Sequence, residues 1–247
     1  MPRRFGQHFL KRQSVLDRIA VAACGDRAAQ VVEIGPGKGA LTAHLLERAD
    51  HVIAIEIDPI LVQYLRAKFR GNERIELIEA DVLKVDLGQR GPTAVAGNLP
   101  YYITSPILTK VLALGEGLLR AVFLVQKEVA DRLTAVPGSR DYGYLTVTTQ
   151  YQADVEYLFT VPPAAFHPAP KVDSAVVRLT PRREPPAVDR AAFLRFVSLA
   201  FQHKRKTLRN NLLEQYDRAV LDALAEGKLR AEQMSIDALL ELYRRLH

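Results

Sequence analysis

Four residues, Asn98-Leu99-Pro100-Tyr101, follow a short apolar run at 93–97 that predicts a buried strand. A turn needs a residue such as glycine, asparagine or proline, but not an amide, a proline and an aromatic ring in this order. The Asn98 side-chain oxygen can accept one N–H of an exocyclic amine on a nucleobase. The Leu99 carbonyl can accept the second, since Pro100 turns the chain outward there.

Such an amine is a poor nucleophile because its lone pair is delocalised into the aromatic ring. Two acceptors in fixed positions pull the nitrogen toward tetrahedral geometry and aim its lone pair at a methyl carbon. The Tyr101 ring offers a face on which the base can stack, which is worth roughly 1–3 kcal/mol. We therefore predict Asn98, Leu99, Pro100 and Tyr101 as the catalytic residues. The alternative, an Asn-Pro turn with a core tyrosine, explains each residue but not their order.

A glycine-rich loop, EIGPGKGA, connects a predicted strand at 30–35 to a predicted helix at 40–47. Gly35 and Gly37 permit a tight turn and a close approach of the backbone to a ligand. Glu56 ends the next predicted strand, where a carboxylate can accept hydrogen bonds from two ribose hydroxyls. A nicotinamide dinucleotide and an adenosyl cofactor both fit this pattern.

Two further acids separate these ligands. Glu33, just before the glycines, would repel a pyrophosphate but tolerate an ammonium group, and Asp81 ends the third strand, where it can accept a bond from an adenine amine. Three acids around one pocket favour a cationic ligand, and S-adenosylmethionine carries a sulfonium and an ammonium. Glu33 could instead cap a neighbouring helix and Asp81 the next turn, but the ordered set of glycines and acids favours the cofactor.

Strands and helices alternate along most of the chain, which predicts a parallel sheet with helices on both faces. Asp58 and Pro59 mark the start of one such helix. A proline-rich stretch at 181–189 precedes a purely helical pattern, so we place the domain boundary there. The prediction is an α/β, doubly wound, Rossmann-like domain at 1–184 and a small all-helical domain at 185–247.

The chain has 247 residues and a net charge of +6, and its basic excess lies at the two ends. Arg3, Arg4 and Lys11 belong to an N-terminal segment without acids. This distribution suits a polyanion such as RNA that touches both ends. A single cysteine, no secretory pattern and no long apolar run predict a cytoplasmic protein without a membrane span.

The blocks FGQHFL, EIGPGKGALT, EIDP, EADVL, NLPYYITSP, FHPAPKVDSAVVRL and FQHKRKTLRNNL resemble those of the rRNA adenine N6-dimethyltransferase family. The resemblance runs from residue 5 to about residue 213. It implies S-adenosylmethionine as the methyl donor, no metal, a seven-stranded methyltransferase sheet with a small helical C-terminal domain, and a target adenine flipped out of the RNA into the pocket.

The resemblance also implies roles for particular residues. His8 stands where asparagine is commoner in the family, and Tyr102 is assigned no chemistry. Phe166 would stack on the target base opposite Tyr101, or else fold into the core. The implied cofactor contacts are His8, Leu10, Gly35, Gly37, Glu56, Asp81 and Asn98. The distribution of basic residues, independently of the resemblance, predicts RNA contacts at Arg3, Arg4, Lys11, Lys204, Arg205, Lys206 and Arg209. The last four form either a phosphate-binding corner or a solvated helix end.

Within the family, the Leu99 block and the two later blocks resemble the branch that dimethylates two adjacent adenines near the 3′ end of 16S rRNA. The predicted partner is small-subunit rRNA in a pre-30S particle, and the predicted state is a monomer. The alternatives are a 23S rRNA dimethyltransferase of the macrolide-resistance type and an RNA-binding assembly factor with a vestigial pocket. A dehydrogenase is disfavoured by Glu33 and by the G-x-G-x-G spacing.

Overall fold

The chain folds into two units, which a computed structural model describes for residues 8–183, 186 and 188–247. Of the described residues, the sheet unit comprises 8–130 and 153–183, and the helical unit comprises 131–152, 186 and 188–247. The sequence prediction of one boundary at 184/185 is therefore wrong for residues 131–152. Their apolar side chains belong to the core of the helical unit: the Tyr151 ring lies 4.7 Å from that of Phe193.

The sheet unit contains a mixed sheet of seven strands, which confirms the predicted fold class. These strands run in the order β4-β3-β2-β5-β6-β9-β7. β9 runs antiparallel to both of its neighbours, β6 and β7, and the other pairs are parallel. A separate two-stranded pairing joins β1 to β8. The strands are β1 (Phe9–Leu10), β2 (Ala28–Ile34), β3 (Ala49–Glu56), β4 (Ile75–Glu79), β5 (Thr93–Asn98), β6 (Leu118–Gln126), β7 (Ala153–Val161), β8 (Phe166–His167) and β9 (Ser174–Pro181).

Helices connect the parallel strands, as the alternating sequence pattern predicts. The Asp58 carboxylate accepts a hydrogen bond from the Ile60 N–H at 2.9 Å and caps the third helix, with Pro59 in its first turn. The helices that begin in this unit are α1 (Gln13–Cys24), α2 (Ala40–Arg48), α3 (Pro59–Lys68), α4 (Thr104–Leu112) and α5 (Lys127–Leu133).

The register of the parallel strands brings their carboxyl ends to one edge of the sheet. Ile34 of β2 pairs with Ile55 of β3, and Asn98 of β5 pairs with Leu124 of β6. The central strands are buried on both faces, so their sequences are nearly continuous apolar runs that end where the polar residues begin. Residues after β2, β3, β4 and β5 therefore meet at this edge.

The described part of the helical unit contains helices and no strands. Its core is a cluster of aromatic and aliphatic side chains that includes Phe193, Phe196 and Tyr243. Its remaining helices are α6 (Tyr144–Gln150), α7 (Arg190–Ala200), α8 (Leu208–Leu212), α9 (Arg218–Asp222) and α10 (Ile236–Leu246). Across the described residues, no helix is long and apolar enough to cross a membrane.

Candidate active site

A cavity of about 450 Å³ lies at the carboxyl edge of the sheet, in the size range of small-molecule sites. It is lined by all seven predicted cofactor residues and by all four predicted catalytic residues. These are His8, Leu10, Gly35, Gly37, Glu56, Asp81, Asn98, Leu99, Pro100 and Tyr101, with Asn98 belonging to both sets.

The glycine loop runs along one wall of the cavity. Gly35 and Gly37 have φ angles of +67° and +58°, a region that side chains disfavour. A Cβ on Gly37 would also lie 3.0 Å from the Phe9 ring. The loop therefore needs glycine at these positions to keep its backbone against the cavity.

Glu56 ties this loop to the end of β3. Its Oε2 accepts from the Gly37 N–H at 3.1 Å, and its Oε1 accepts from the N–H groups of Ile57 and Asp58 at 2.9 and 3.0 Å. The side chain is 4% exposed, and burial raises its pKa while these hydrogen bonds lower it. A carboxylate has about four acceptor positions, so the group holds the loop and can still accept from a ligand.

Glu33 lies beneath the loop and is 1% exposed. Burial raises its pKa to about 7, although the Thr42 hydroxyl donates to its Oε2 at 2.5 Å and the charge of Lys68 lowers the pKa. The Lys68 ammonium itself donates to the carbonyls of Lys38 and Gly39 at 2.9 and 2.8 Å. Sequence reasoning identified Glu33 but missed Thr42 and Lys68, which reach it from two different helices.

Asp81 follows β4 and is half-buried. Its Oδ1 accepts from the Leu83 N–H at 3.0 Å and caps a short 3-10 helix, Val82–Lys84. The capping role that the sequence left as an alternative is thus present. Among the described residues, nothing donates to Oδ2, so the same carboxylate can also serve a ligand in the cavity it lines.

Asn98 ends β5 with its side chain held in one orientation. Its Nδ2 donates to the His8 carbonyl at 2.9 Å, which leaves Oδ1 available as an acceptor. Within the described chain, no donor binds the Leu99 carbonyl. The Pro100 carbonyl, in contrast, already accepts from the Thr104 hydroxyl at 3.2 Å. The two acceptors predicted from the sequence, Asn98 Oδ1 and Leu99 O, are therefore both free.

Tyr101 begins the 3-10 helix Tyr101–Ile103 immediately after these acceptors. Its hydroxyl lies 3.0 Å from the Ser174 hydroxyl, and its ring centroid lies 6.0 Å from that of His8 with 26° between the planes. Ser174 is fully buried on β9. The sequence did not identify this partner, because it lies 73 residues away.

Phe166 does not lie where the sequence prediction put it. Its ring is 2% exposed and packs in the apolar core, and its backbone pairs with Leu10. This burial favours the alternative that the sequence left open, in which Phe166 folds into the core. The next residue, His167, is exposed and lines the cavity instead.

The predicted RNA contacts near the N-terminus fall in two places. Arg3 and Arg4 lie outside the described residues. Lys11 is exposed and lines the cavity, and its backbone N–H donates to the Ala165 carbonyl at 2.9 Å. Lys11 thus lies beside the pocket, which the sequence did not predict.

In the helical unit, Lys204, Arg205 and Lys206 are exposed in the loop between α7 and α8. The buried Asn211 holds this loop: its Nδ2 donates to the carbonyls of Ala200 and His203 at 2.7 and 3.3 Å, and its Oδ1 accepts from the His203 N–H at 3.2 Å. The Lys204 ammonium donates to the Arg140 carbonyl at 3.2 Å. Arg209 differs because its partner is charged. Its guanidinium forms an ion pair with Asp222 of α9, so it braces two helices and is not a free phosphate ligand in this structure.

Comparisons with known proteins found relatives that match almost the whole chain. Residues 1–247 match the family described as ribosomal RNA adenine dimethylase. A protein of Koribacter versatilis named ribosomal RNA small subunit methyltransferase A is 44% identical over 267 residues, a match that covers 98% of this chain and 93% of that protein.

Two solved structures are similar to the chain. A dimethyladenosine transferase from Plasmodium falciparum matches with a TM-score of 0.81 and 28% identity, over 95% of this chain and 96% of that one. A 23S rRNA methyltransferase, ErmE, matches with a TM-score of 0.75 and 33% identity, over 96% of this chain and 99% of that one. The likeness thus extends through both the sheet unit and the helical unit.

Proposed function

The chain belongs to the ribosomal RNA adenine dimethylase family, and from this premise we propose that it dimethylates N6 of two adjacent adenines near the 3′ end of 16S rRNA. The methyl donor is S-adenosylmethionine, and the substrate is an assembling small subunit in the cytoplasm, on which the enzyme acts as a monomer. The observation that carries the proposal is the orientation of Asn98, a residue of the cavity wall whose Nδ2 donates to His8 and whose Oδ1 accepts from no donor among the described residues.

The cavity fits the cofactor in size and in charge. Its volume of about 450 Å³ is sufficient for a nucleoside with an amino-acid tail. Glu56 would accept the ribose hydroxyls and Asp81 the adenine amine, while Glu33 would place negative charge near the cationic tail. The backbone of the glycine loop would lie directly against the ligand. When bound, S-adenosylmethionine supplies a methyl group made electrophilic by its sulfonium.

The chain's own part in catalysis is to position the amine and to stabilise charge. Asn98 Oδ1 and the Leu99 carbonyl accept the two N–H hydrogens, so the nitrogen lone pair points away from both and becomes available for bonding. These acceptors also stabilise positive charge as it develops on the nitrogen. Tyr101 holds the base by its ring face. No side chain needs to act as a base, because the proton can leave after transfer.

The RNA partner would be held by charge outside the cavity. We propose that Lys204, Arg205 and Lys206 contact phosphates, because all three are exposed on one loop that Asn211 fixes. Lys11 would contact RNA beside the cavity, and Arg3 and Arg4 remain proposed contacts outside the described residues. The identity to a small-subunit methyltransferase is 44%, against 33% to the 23S enzyme, which supports small-subunit RNA as the target.

The test is a methylation assay with purified protein and S-adenosylmethionine on two substrates, assembling small subunits and large-subunit rRNA. Mass spectrometry of digested RNA should find N6,N6-dimethyladenosine at two neighbouring positions of 16S rRNA. Dimethylation of 23S rRNA alone would show that the protein is a 23S rRNA dimethyltransferase of the macrolide-resistance type. Binding of small subunits without methylation, together with no cofactor binding, would support the assembly-factor alternative instead.

A further inference from the structure

His8 connects three parts of the candidate site that are far apart in sequence. Its Nδ1 lies 2.8 Å from the Pro168 carbonyl, its own carbonyl accepts from Asn98 Nδ2 at 2.9 Å, and its ring lies beside that of Tyr101. We propose that His8 is a positioning residue for Asn98. Its imidazole anchors its backbone so that its carbonyl selects the productive orientation of the Asn98 carboxamide. For its kinetic consequence, this inference rests on the proposed function.

The Asn98 carboxamide needs such a selector because its two ends have similar shape and opposite hydrogen-bonding character. Rotated by half a turn, the group would direct Nδ2 toward the target amine, and two donors would then face each other. A backbone carbonyl can only accept, so the His8 carbonyl binds Nδ2 and rejects Oδ1. This contact therefore decides which atom of Asn98 faces the substrate.

The His8 carbonyl in turn needs an anchor. His8 directly precedes β1, a strand of two residues whose pairing, within the described part of the chain, is with Phe166 and His167 of β8. So short a pairing supplies few backbone hydrogen bonds. The bond from the His8 ring to Pro168 adds a fixed point at the end of β1, on the same residue whose carbonyl binds Asn98.

The chemistry of the anchor supplies a matched pair of variants. Because the Pro168 carbonyl only accepts, the His8 Nδ1 must carry the hydrogen. An asparagine side chain can place its Nδ2 where the imidazole has Nδ1, so His8→Asn keeps the donor. A glutamine amide reaches instead to the position of Nε2, so His8→Gln keeps polarity and size but loses the donor.

The kinetic experiment is single-turnover methylation of assembling small subunits at saturating cofactor. We expect His8→Ala and His8→Gln to slow methyl transfer by about tenfold, as loss of orientation at one preorganised group implies. His8→Asn should be within about twofold of wild type, and cofactor affinity should change less than the rate in all three. In an Asn98→Ala background, His8→Ala should cause no further loss, because its effect acts through Asn98.

A second measurement decides the inference even if the protein methylates neither RNA. The side-chain amide protons of Asn98, assigned in ¹⁵N spectra by their absence in Asn98→Ala, should shift in His8→Ala and His8→Gln and return in His8→Asn. Unchanged Asn98 signals in His8→Ala would overturn the inference, as would equal rates for the asparagine and glutamine variants. A silent wild type with the expected spectral shifts would count against the proposed function alone.

Discussion

The two halves of the cavity differ in how their side chains are held. One half is proposed to hold the cofactor and the other the target base. In the first, Asp81 binds a backbone N–H two residues away, Glu33 a hydroxyl nine residues away and Glu56 an N–H 19 residues away. In the second, Asn98 is held across 90 residues of chain and Tyr101 across 73.

This difference has a physical consequence. Glu33, Glu56 and Asp81 of the cofactor half lie on consecutive elements, from β2 to the turn after β4, so their contacts come with local folding. The target-base half requires that β1, β5 and β9 have all reached their places, since a contact between distant segments forms only after the loop between them has closed. Changes at the distant residues that hold Asn98 and Tyr101 should therefore alter the rate of methyl transfer without altering cofactor affinity.

The largest effect should come from Asn98→Ala. Loss of one preorganised polar partner at the reacting nitrogen should lower the single-turnover rate by about 10²–10³ at saturating cofactor. Titration with S-adenosylmethionine should show a much smaller change in affinity, and the melting temperature should stay close to that of wild type. A near-normal rate would mean that Asn98 serves the fold and not the amine.

The cofactor half is tested by Glu56→Ala, which should weaken S-adenosylmethionine binding by roughly 1.5–3 kcal/mol. The variant removes acceptors from the ligand and also from three backbone N–H groups. Asp81→Ala should weaken binding less, because Asp81 is half-buried and also caps a turn. Unchanged affinity in both variants, measured by calorimetry, would mean that the cofactor binds elsewhere.

Neither half should respond to changes on the exposed basic loop of the helical unit. Replacing Lys204, Arg205 and Lys206 together by alanine should lower RNA affinity and flatten its salt dependence by up to roughly three phosphate contacts. Arg209→Gln is the control. It should lower the melting temperature because the ion pair with Asp222 is lost, and it should leave the salt dependence of RNA binding unchanged. A wild-type slope in the triple variant would exclude this loop from the interface.

A smaller effect is expected at Tyr101. Tyr101→Phe keeps the stacking ring but loses the contact with Ser174, so transfer should slow only a few-fold, in line with one hydrogen bond of about 1 kcal/mol. Ser174→Ala should match it, and the double variant should be no worse than either. Tyr101→Ala should lose target binding as well. A phenylalanine variant as inactive as the alanine variant would show that the hydroxyl has a direct role.

The smallest effect concerns Glu33, whose burial raises its pKa to about 7. A carboxyl with a raised pKa holds its proton more tightly in the folded state than in the unfolded state, so its contribution to stability is lost as pH rises toward 7. Glu33→Gln cannot ionise. The difference in melting temperature, Glu33→Gln minus wild type, should therefore increase by a few degrees between acidic and mildly alkaline pH. A constant difference across this range would mean that folding does not shift the pKa of Glu33.

The sequence by itself was enough to predict where the polar residues of the site would meet. Glu33, Glu56, Asp81 and Asn98 each lie at or near the end of an apolar run that alternates with helical segments. In a parallel sheet such ends come to one edge, so spacing along the chain fixes position in space. The same alternation explains why the fold class was predicted correctly, and the Asp58 cap was predictable because capping depends on neighbouring residues alone.

Only the tertiary structure decided what each side chain touches. Phe166 is buried, Arg209 is bound to Asp222, and residues 131–152 pack with the C-terminal helices, none of which local sequence patterns reveal. The same is true of the contact that fixes Asn98, since His8 reaches it from 90 residues away. Periodicity and spacing record which face of an element is apolar, but the partner that covers a ring or binds a charge is set by how distant segments come together.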